Sequence, residues 1–183
     1  ARVKIALILG GADCVYEDRE RALALFSPDL VVCTNETGRD YPEAFDHWVS
    51  MHPQIEKFPR WVSERRRAGR PDARKLWIPR HRQFPRNSGL EAGAVPSWGG
   101  SSGMLACTLC VAMLGCNAVL CGVPMQAERA HYFDDRPWTE AVHYHSHWRR
   151  YLPKLQGRIK SMSGWTRELL GYPDEEWIRD NRV

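Results

Sequence analysis

The chain has 183 residues, of which 43% are apolar, 26% charged and 10% aromatic, and its formal net charge is +4. These values exclude a largely disordered chain, because eight tryptophans and regular apolar runs supply enough side chains to build a core. No run approaches the roughly 18 apolar residues that a membrane-spanning helix requires, so we expect no membrane partner. The length favours one domain over residues 1–183.

Apolar periodicity predicts strands that alternate with helices in the first half of the chain. In order, the predicted elements are a strand at Val3–Leu9, a helix at Glu17–Phe26, strands at Leu30–Cys33 and His47–Met51, a helix at Ile55–Arg67 and a strand at Lys75–Ile78. Residues 79–100 are rich in Pro, Gly and Arg, and we predict a loop there.

The second half continues the alternation and then becomes helical. The predicted elements are a helix at Ser102–Leu114, a strand at Ala118–Cys121, a helix at Thr139–Leu152 and short helices at Thr166–Leu170 and Asp174–Arg179. The chain from about residue 139 is thus predicted to be a helical extension. The whole pattern indicates an α/β fold, a Rossmann-like three-layer sandwich with a mainly parallel sheet.

Charge is unevenly distributed along the chain. Residues 13–46 carry nine acids against three arginines, whereas residues 60–86 carry ten Lys or Arg against two acids. A basic run of this kind is either a solvated face or a surface for phosphate, carried by a substrate or by nucleic acid. Because no known nucleic-acid motif accompanies it, we favour a small-molecule partner and keep nucleic acid as an alternative.

The context of the six cysteines indicates reduced thiols. Cys33 and Cys121 end apolar strand-like runs, and Cys107 and Cys110 lie within an apolar helical pattern. Cysteines in such positions behave as small buried hydrophobic residues. A chain of this length does not depend on disulfides, so we expect a cytoplasmic protein. The Cys107–Cys110 spacing lacks the second pair that a zinc site of this type needs.

Small and polar residues follow the predicted strands. They are Gly10 and Gly11 after the first strand, Asn35 and Thr37 after the second, His52 after the third, and Gly122 and Met125 after the last. Ligands of open parallel sheets bind outside the carboxyl ends of the strands. The Gly10-Gly11 pair permits a tight turn and close approach of a phosphate or sugar to the backbone. It lacks the full GxGxxG pattern, so an NAD-type site is disfavoured.

A segment rich in serine and glycine precedes the most apolar predicted helix. It reads Gly-Gly-Ser-Ser-Gly over residues 99–103, and Ser102 is a good N-cap. Free N–H groups at such a helix start attract anions. The segment has no P-loop lysine, so a Walker-type ATPase is not supported. We expect Ser101, Ser102 and Gly103 to bind a ligand, with simple capping as the alternative.

Two histidines are candidate general bases, because an unperturbed histidine titrates near pH 6.5. His131 lies in the loop after the last predicted strand, and His52 lies at the end of the third. His143, His145 and His147 resemble a metal cluster, but on a helix only the first and last share a face. No glutamate of the HExxH type lies between those two, so we predict no metal site.

Three segments together resemble a family signature. They are Ser101-Ser102-Gly103-Met104 opening a helix, Ala112-Met113-Leu114-Gly115 ending it, and Gly122-Val123-Pro124-Met125 after a strand. This arrangement is similar to that of bacterial sialyltransferases of the Campylobacter type, and of related Rossmann-like domains resembling the 6-hydroxymethylpterin diphosphokinase family. Those transferases also have a glycine-rich turn after the first strand and an asparagine after the second. Pro124 stands where that family has an acidic residue.

The resemblance implies a glycosyltransferase that uses a nucleotide-sugar donor and needs no metal or other cofactor. In that family these segments line the site for CMP-sialic acid, and a histidine after the fifth strand is the general base, which His131 matches in position. We therefore predict His131 and His52 as catalytic residues. The predicted substrate-binding residues are Gly10, Gly11, Asn35, Thr37, Ser101, Ser102, Gly103, Gly122, Met125 and Tyr132.

Three other functions stay open. The same crevice could serve a non-catalytic module that binds a nucleotide or another metabolite. A pyrophosphoryl transferase of the pterin-diphosphokinase type would need Mg²⁺ and carboxylates, which Asp13, Asp134 and Asp135 could supply. Because of the basic run at residues 60–86, a transferase whose acceptor is nucleic acid is the third alternative.

Overall fold

The computed structural model describes residues 2–182, and its main feature is a seven-stranded parallel sheet. The elements are β1 Ile5–Leu9, α1 Val15–Leu25, β2 Leu30–Thr34, α2 Asn35–Asp40, β3 His47–Val49, α3 Phe58–Arg67, β4 Lys75–Pro79, β5 Gly93–Val95, α4 Ser102–Thr108, β6 Asn117–Cys121, β7 Ala130–His131, β8 Asp134–Pro137, α5 His145–Leu155, β9 Ile159–Ser161, α6 Gly164–Leu170 and α7 Glu175–Asp180. The sheet order is β5-β4-β3-β2-β1-β6-β9, and β7 and β8 form a separate antiparallel hairpin.

The strand β1 marks the point where the order of strands reverses. It pairs with β2 on one side and with β6 on the other, both in parallel. Every residue of β1 and β6 is buried, as expected for strands that helices cover on both faces. The crevice outside the carboxyl ends of β1 and β6 is where folds of this kind bind their ligands.

Helices pack on both faces of the sheet and complete three layers. On one face, Met104 of α4 and Trp148 of α5 belong to one hydrophobic cluster. On the other face, Val15 of α1 and Trp61 of α3 belong to a second cluster. No helix within residues 2–182 is long and apolar enough to cross a membrane. The predicted α/β class, with a Rossmann-like three-layer sandwich and a parallel sheet, is confirmed.

Four features are missing from the sequence-based prediction: α2, β5, the β7–β8 hairpin and β9. The predicted loop at residues 79–100 contains β5, in which Gly93 pairs with Trp77 of β4. A Cβ at Gly93 would lie 2.3 Å from the Trp77 ring, so the glycine lets that ring cover the edge strand. The strand β8 reads Asp-Asp-Arg-Pro. Neither sequence carries the apolar alternation that predicts a strand.

From residue 139 onward the chain is not the purely helical extension that the sequence predicts. The predicted helix Thr139–Leu152 begins as a six-residue 3₁₀ helix, and α5 starts only at His145. After α5, β9 joins the sheet beside β6, with Ile159 opposite Ala118. The sequence Ile-Lys-Ser of β9 has neither the apolar run nor the alternation that predicts a strand. The C-terminal part of the chain therefore contributes a strand to the main sheet.

All six cysteines are buried free thiols. Burial raises the pKa of Cys14 to about 11, so this thiol is protonated near neutral pH. Burial also raises the pKa of Cys107, inside α4. These cysteines pack as small hydrophobic residues, which is the role that their sequence context predicts.

Candidate ligand-binding cleft

A cleft of about 430 Å³ opens at the carboxyl edge of the sheet, between the loops that follow β1 and β6. It therefore lies at the point where the strand order reverses. The predicted site residues that line it are Gly10, Gly11, Asn35, His52, Ser101, Ser102, Gly103, Gly122, Met125 and His131. They come from six separate parts of the sequence, so the fold brings together groups that no single motif connects.

Two predicted substrate-binding residues lie behind the cleft instead of lining it. Thr37 is fully buried, and its Oγ1 donates a hydrogen bond of 2.7 Å to the carbonyl of Gly10. The Tyr132 hydroxyl donates to Asp40 Oδ2 at 2.5 Å. Burial and the contact with this carboxylate raise the pKa of Tyr132, which keeps the hydroxyl protonated. Both residues hold segments that line the cleft.

The two glycines after β1 have different reasons to be glycine. A Cβ at Gly10 would lie 2.4 Å from the carbonyl oxygen of Gly122 and 2.5 Å from Val123, so packing between two loops requires this glycine. A Cβ at Gly11 would lie 3.4 Å from the His131 ring, which is ordinary contact. Within residues 2–182 the Gly11 N–H donates no hydrogen bond. Gly11 therefore leaves a backbone donor beside His131.

Asn35 is held in a strained conformation at the end of β2. Its φ is 46°, and among non-glycine residues only Met125, also in the cleft, has a positive φ within residues 2–182. The Asn35 Oδ1 accepts hydrogen bonds from Ser50 Oγ at 2.7 Å and Ser102 Oγ at 3.1 Å. The indole of Trp48 donates to its carbonyl at 2.9 Å. Because Oδ1 is used twice, the amide NH₂ is the group left for a ligand.

His131 lies over the β1 loop because the β7–β8 hairpin is attached to that loop. Backbone pairing joins His131 to Ala12, and the next amide, of Tyr132, donates to the Gly11 carbonyl at 3.0 Å. The imidazole stacks on Phe133, with ring centroids 5.0 Å apart. Phe133 itself is 43% exposed. The hairpin thus presents an imidazole and an open aromatic face on one side of the cleft.

The surroundings of His131 suit a general base. Burial lowers its pKa below the usual value near 6.5, whereas the charges of Glu36 and Asp134 act in the opposite direction. The imidazole is therefore neutral at pH 7 and able to accept a proton. The two carboxylates would stabilise the imidazolium that forms.

The opposite end of the cleft, at the start of α3, is electropositive. Burial, together with the charges of Lys57 and Arg82, lowers the pKa of His52. Trp61 lies one helical turn after Lys57, lines the cleft and is only 1% exposed. Its Nε1 is buried and has no hydrogen-bond partner within residues 2–182. An unpaired buried donor of this kind costs about 1–3 kcal/mol.

A buried carboxylate supports the cleft from behind. Asp18 in α1 is 1% exposed, and its Oδ2 accepts hydrogen bonds from the Gly122 amide at 2.9 Å and from Ser163 Oγ at 2.6 Å. Gly122 has a φ of 68° and turns the chain into the cleft after β6. Asp18 therefore fixes the turn that carries Gly122 and Met125. Nothing in the sequence of α1 distinguishes it from the other acids of that helix.

Two of the three histidines at residues 143–147, His145 and His147, make hydrogen bonds to separate partners. His145 Nε2 donates to the Met125 carbonyl, 2.6 Å away, since a carbonyl oxygen can only accept. His147 Nδ1 accepts a hydrogen bond of 3.3 Å from the Gly100 amide. In the described part of the chain, no three His, Cys, Asp or Glu side chains are grouped as metal ligands.

Several cleft residues carry no signal in the sequence. Glu36 and Lys57 belong to no recognisable motif, and Trp61 has the spacing of a core residue on α3. Only the aromatic density of residues 131–144 could have indicated Phe133 and Trp138, which line the cleft beside His131.

A scan against protein-family models, a search of curated proteins and a search of solved structures each found no match for this chain.

Proposed function

We propose that the cleft binds a nucleotide-sugar donor and that the protein is a metal-independent glycosyltransferase in which His131 is the general base. The observation that carries the proposal is the convergence of Gly11, Asn35 and His131 in one cleft at the reversal point of a parallel sheet. The volume of about 430 Å³ lies within the range of small-molecule sites. The exposed ring of Phe133 suits the apolar face of a sugar or a nucleobase.

The proposed reaction follows from these positions. His131 removes the proton of an acceptor hydroxyl as its oxygen attacks the anomeric carbon of the donor. A bond forms between that oxygen and the anomeric carbon, and the bond from the carbon to the donor phosphate breaks. The nucleoside phosphate leaves with the electron pair, and the imidazolium keeps the proton until it is released to water. Glu36 and Asp134 stabilise the imidazolium.

The magnesium-dependent alternative receives less support from its candidate ligands. Asp13 Oδ1 is paired with Arg129 at 3.3 Å, and Asp134 is paired with Arg136 at 2.9 Å. A metal ion would have to compete with both arginines for these carboxylates. The six buried thiols support the cytoplasmic setting in which we propose that the enzyme works.

Thermal unfolding with and without nucleotide sugars and Mg²⁺ tests the proposal. A donor at about 100 times its Kd should raise the melting temperature by about 5–10 °C without Mg²⁺. In His131→Asn this shift should persist, while transfer to an acceptor falls by about 100-fold or more. The control is His143→Asn, at an exposed histidine outside the cleft.

Three outcomes would overturn the proposal. If none of the CMP-, UDP-, GDP- or ADP-sugars shifts the melting temperature, the cleft does not bind this class of ligand. If a donor binds and the wild type and His131→Asn transfer equally well, His131 is not the base. If a donor binds and neither protein transfers, a binding module is favoured.

A further inference from the structure

The two ends of the cleft differ in charge. At the hairpin end, His131 senses the carboxylates of Glu36 and Asp134. At the α3 end, Lys57 lines the cleft with His52, whose pKa is lowered by burial and by the charges of Lys57 and Arg82. Within residues 2–182 the Asp, Glu, Lys and Arg side chains that line the cleft are Glu36, Lys57, Arg129 and Glu140. Arg129 is paired with Asp13, so among the described residues Lys57 at the α3 end is the lining Lys or Arg without a carboxylate partner.

The α3 end also concentrates hydrogen-bond donors that have no acceptor. Lys57 lines the cleft and has no carboxylate within 4.0 Å among residues 2–182. Trp61 Nε1, which can only donate, is buried without a partner in the same part of the chain. The Asn35 NH₂ is the third donor, since its Oδ1 is occupied by Ser50 and Ser102.

A chain of packed rings connects the segments that carry these three cleft-lining residues. Trp48, which donates to the Asn35 carbonyl, packs edge-on against Phe58 with centroids 5.2 Å apart. Phe58 in turn contacts Trp61, with centroids 6.5 Å apart. Lys57 precedes Phe58 directly in the sequence. The backbone that carries these residues is thus anchored in the core, while the Lys57 side chain itself is exposed.

We propose that Lys57, Trp61 and Asn35 form an anion subsite, which binds a phosphate or carboxylate group of the ligand. The three groups can only donate hydrogen bonds, and one of them, Lys57, is positively charged. An oxyanion only accepts hydrogen bonds, so it matches all three, whereas a neutral hydroxyl or amide would find no acceptor for its own hydrogen. This proposal rests on the proposed function, and it assigns the leaving phosphate of the donor to the α3 end of the cleft. The charge of Lys57 would then stabilise the phosphate as the bond to the sugar breaks.

The indole N–H resonance of Trp61 reports on the subsite directly. In ¹H–¹⁵N spectra, the cross-peak that disappears in Trp61→Phe belongs to Trp61. We expect inorganic phosphate to move this peak in the wild type, and Lys57→Met to weaken phosphate binding about tenfold or more. Arg60→Met is the matched control, because Arg60 lies on the same helix but is paired with Glu64 at 3.4 Å.

Trp148 is an internal control. Its Nε1 is also buried without a partner within residues 2–182, but it does not line the cleft. Phosphate should leave its indole peak in place. If the peaks of Trp61 and Trp148 move together, or if neither moves, the subsite is refuted. Should Trp61→Phe fail to fold, the Lys57→Met and Arg60→Met titrations still decide the question.

Acetate is the second probe, and it distinguishes a site for phosphate alone from a site that also binds carboxylates. A response of the Trp61 peak to phosphate alone assigns the subsite to the phosphate of a nucleotide, and a response to acetate as well extends it to the carboxylate of an acidic sugar. A nucleotide sugar that raises the melting temperature without moving this peak refutes the subsite alone. A peak that moves with phosphate while no nucleotide sugar binds refutes the proposed function alone.

Discussion

Two basic stretches of the chain use their positive charges differently. Residues 60–86 hold ten Lys or Arg and two acids, and residues 141–167 hold six Lys or Arg and no acid. In the first stretch, Arg60, Arg66 and Arg74 each pair with a carboxylate. In the second, no Lys or Arg has a carboxylate within 4.0 Å among residues 2–182. Three of the ten cations in the first stretch thus have a carboxylate partner, whereas none of the six in the second has one within residues 2–182.

Burial separates the two stretches further. Arg65, on α3, is fully buried and donates to the backbone carbonyls of four residues, which are Gly38, Tyr41, Glu43 and Pro71. The cations of α5 are exposed and lie over aromatic rings: Arg150 is 5.7 Å from the Tyr151 centroid and Lys154 is 5.2 Å from that of Trp98. A charge run in the sequence therefore does not say whether its members build the fold or face solvent.

The largest effect is expected from Arg65→Met, which removes the structural cation of the first stretch. Four carbonyls would lose their donor at once, so the free energy of unfolding should fall by about 3–5 kcal/mol. Urea denaturation measures this loss. Arg66→Met, at an exposed arginine paired with Asp72, should cost less than about 1 kcal/mol. Equal stabilities of the two variants would show that Arg65 is no more structural than its neighbours.

The second stretch contains a weaker counterpart of Arg65. Arg158 is half-buried and donates to Asn117 Oδ1 at 3.2 Å and to the Val111 carbonyl at 3.3 Å. Arg158→Met should lower the free energy of unfolding by about 1–2 kcal/mol, because these bonds are longer and partly accessible to water. Lys154→Met, on the exposed face of α5, is the control and should leave the urea midpoint nearly unchanged. If Lys154→Met lowers the free energy of unfolding more than Arg158→Met does, Arg158 is not the structural cation of this stretch.

The sequence predicts those features of the fold and the cleft that depend on a local pattern of residues. The buried strands could be predicted because apolar runs such as β1 repeat a simple pattern, and Gly11 and Asn35 follow strand ends in a parallel sheet. The position of His131 over the β1 loop depends instead on the β7–β8 hairpin, which the sequence pattern does not predict. The short strands β5 (Gly-Ala-Val) and β9 (Ile-Lys-Ser) could not be predicted, because neither has an apolar run like that of β1.

Contacts between residues that are far apart in the sequence could not be predicted either. Asp18 binds Gly122, which lies 104 residues away in the sequence, and Arg65 binds carbonyls more than 20 residues away. No local pattern identifies which acid or arginine makes such a contact. The α3 end of the cleft has the same origin, because Lys57 and Asn35 meet there only through the packing of the sheet and α3.

A smaller effect is expected from pH, through a histidine beside the first stretch. Trp77 Nε1 donates to His47 Nδ1 at 3.0 Å, which requires that nitrogen to be unprotonated. Burial lowers the pKa of His47, and the charges of Lys75 and Arg74 act in the same direction against Asp46. The unfolded chain therefore takes up this proton first. As pH falls below the unfolded value of about 6.5 towards the lower folded value, stability should be lost.

His47→Asn tests this dependence, since asparagine keeps an acceptor for Trp77 but does not titrate. Between pH 7.5 and 5.5 the wild type should lose about 1 kcal/mol more than the variant, the worth of one hydrogen bond. Thermal unfolding across this range measures the difference. Because burial also lowers the pKa of His52 and His131, some slope should remain in the variant. Parallel curves for both proteins would exclude His47 as a source.

The smallest effect on stability is expected from replacing exposed cations in the two basic stretches. Replacing Arg149, Arg150 and Lys154 by Gln removes three exposed, unpaired cations from α5, and replacing Arg60, Arg66 and Arg74 by Gln removes three paired ones. Both triple variants lose the same net charge, and each should stay within about 1 kcal/mol of the wild type.

Their retention on a phosphate-bearing cation exchanger should nevertheless differ. The α5 cations lie within two turns of one helix and have no neighbouring carboxylate to cancel their field at short range, whereas each cation of the other set already faces one. The α5 variant should therefore elute at clearly lower salt than the wild type, and the other variant should move less. If both triple variants elute at the same salt concentration, pairing with carboxylates does not decide how strongly a basic stretch binds a polyanion. Net charge alone would then explain the retention.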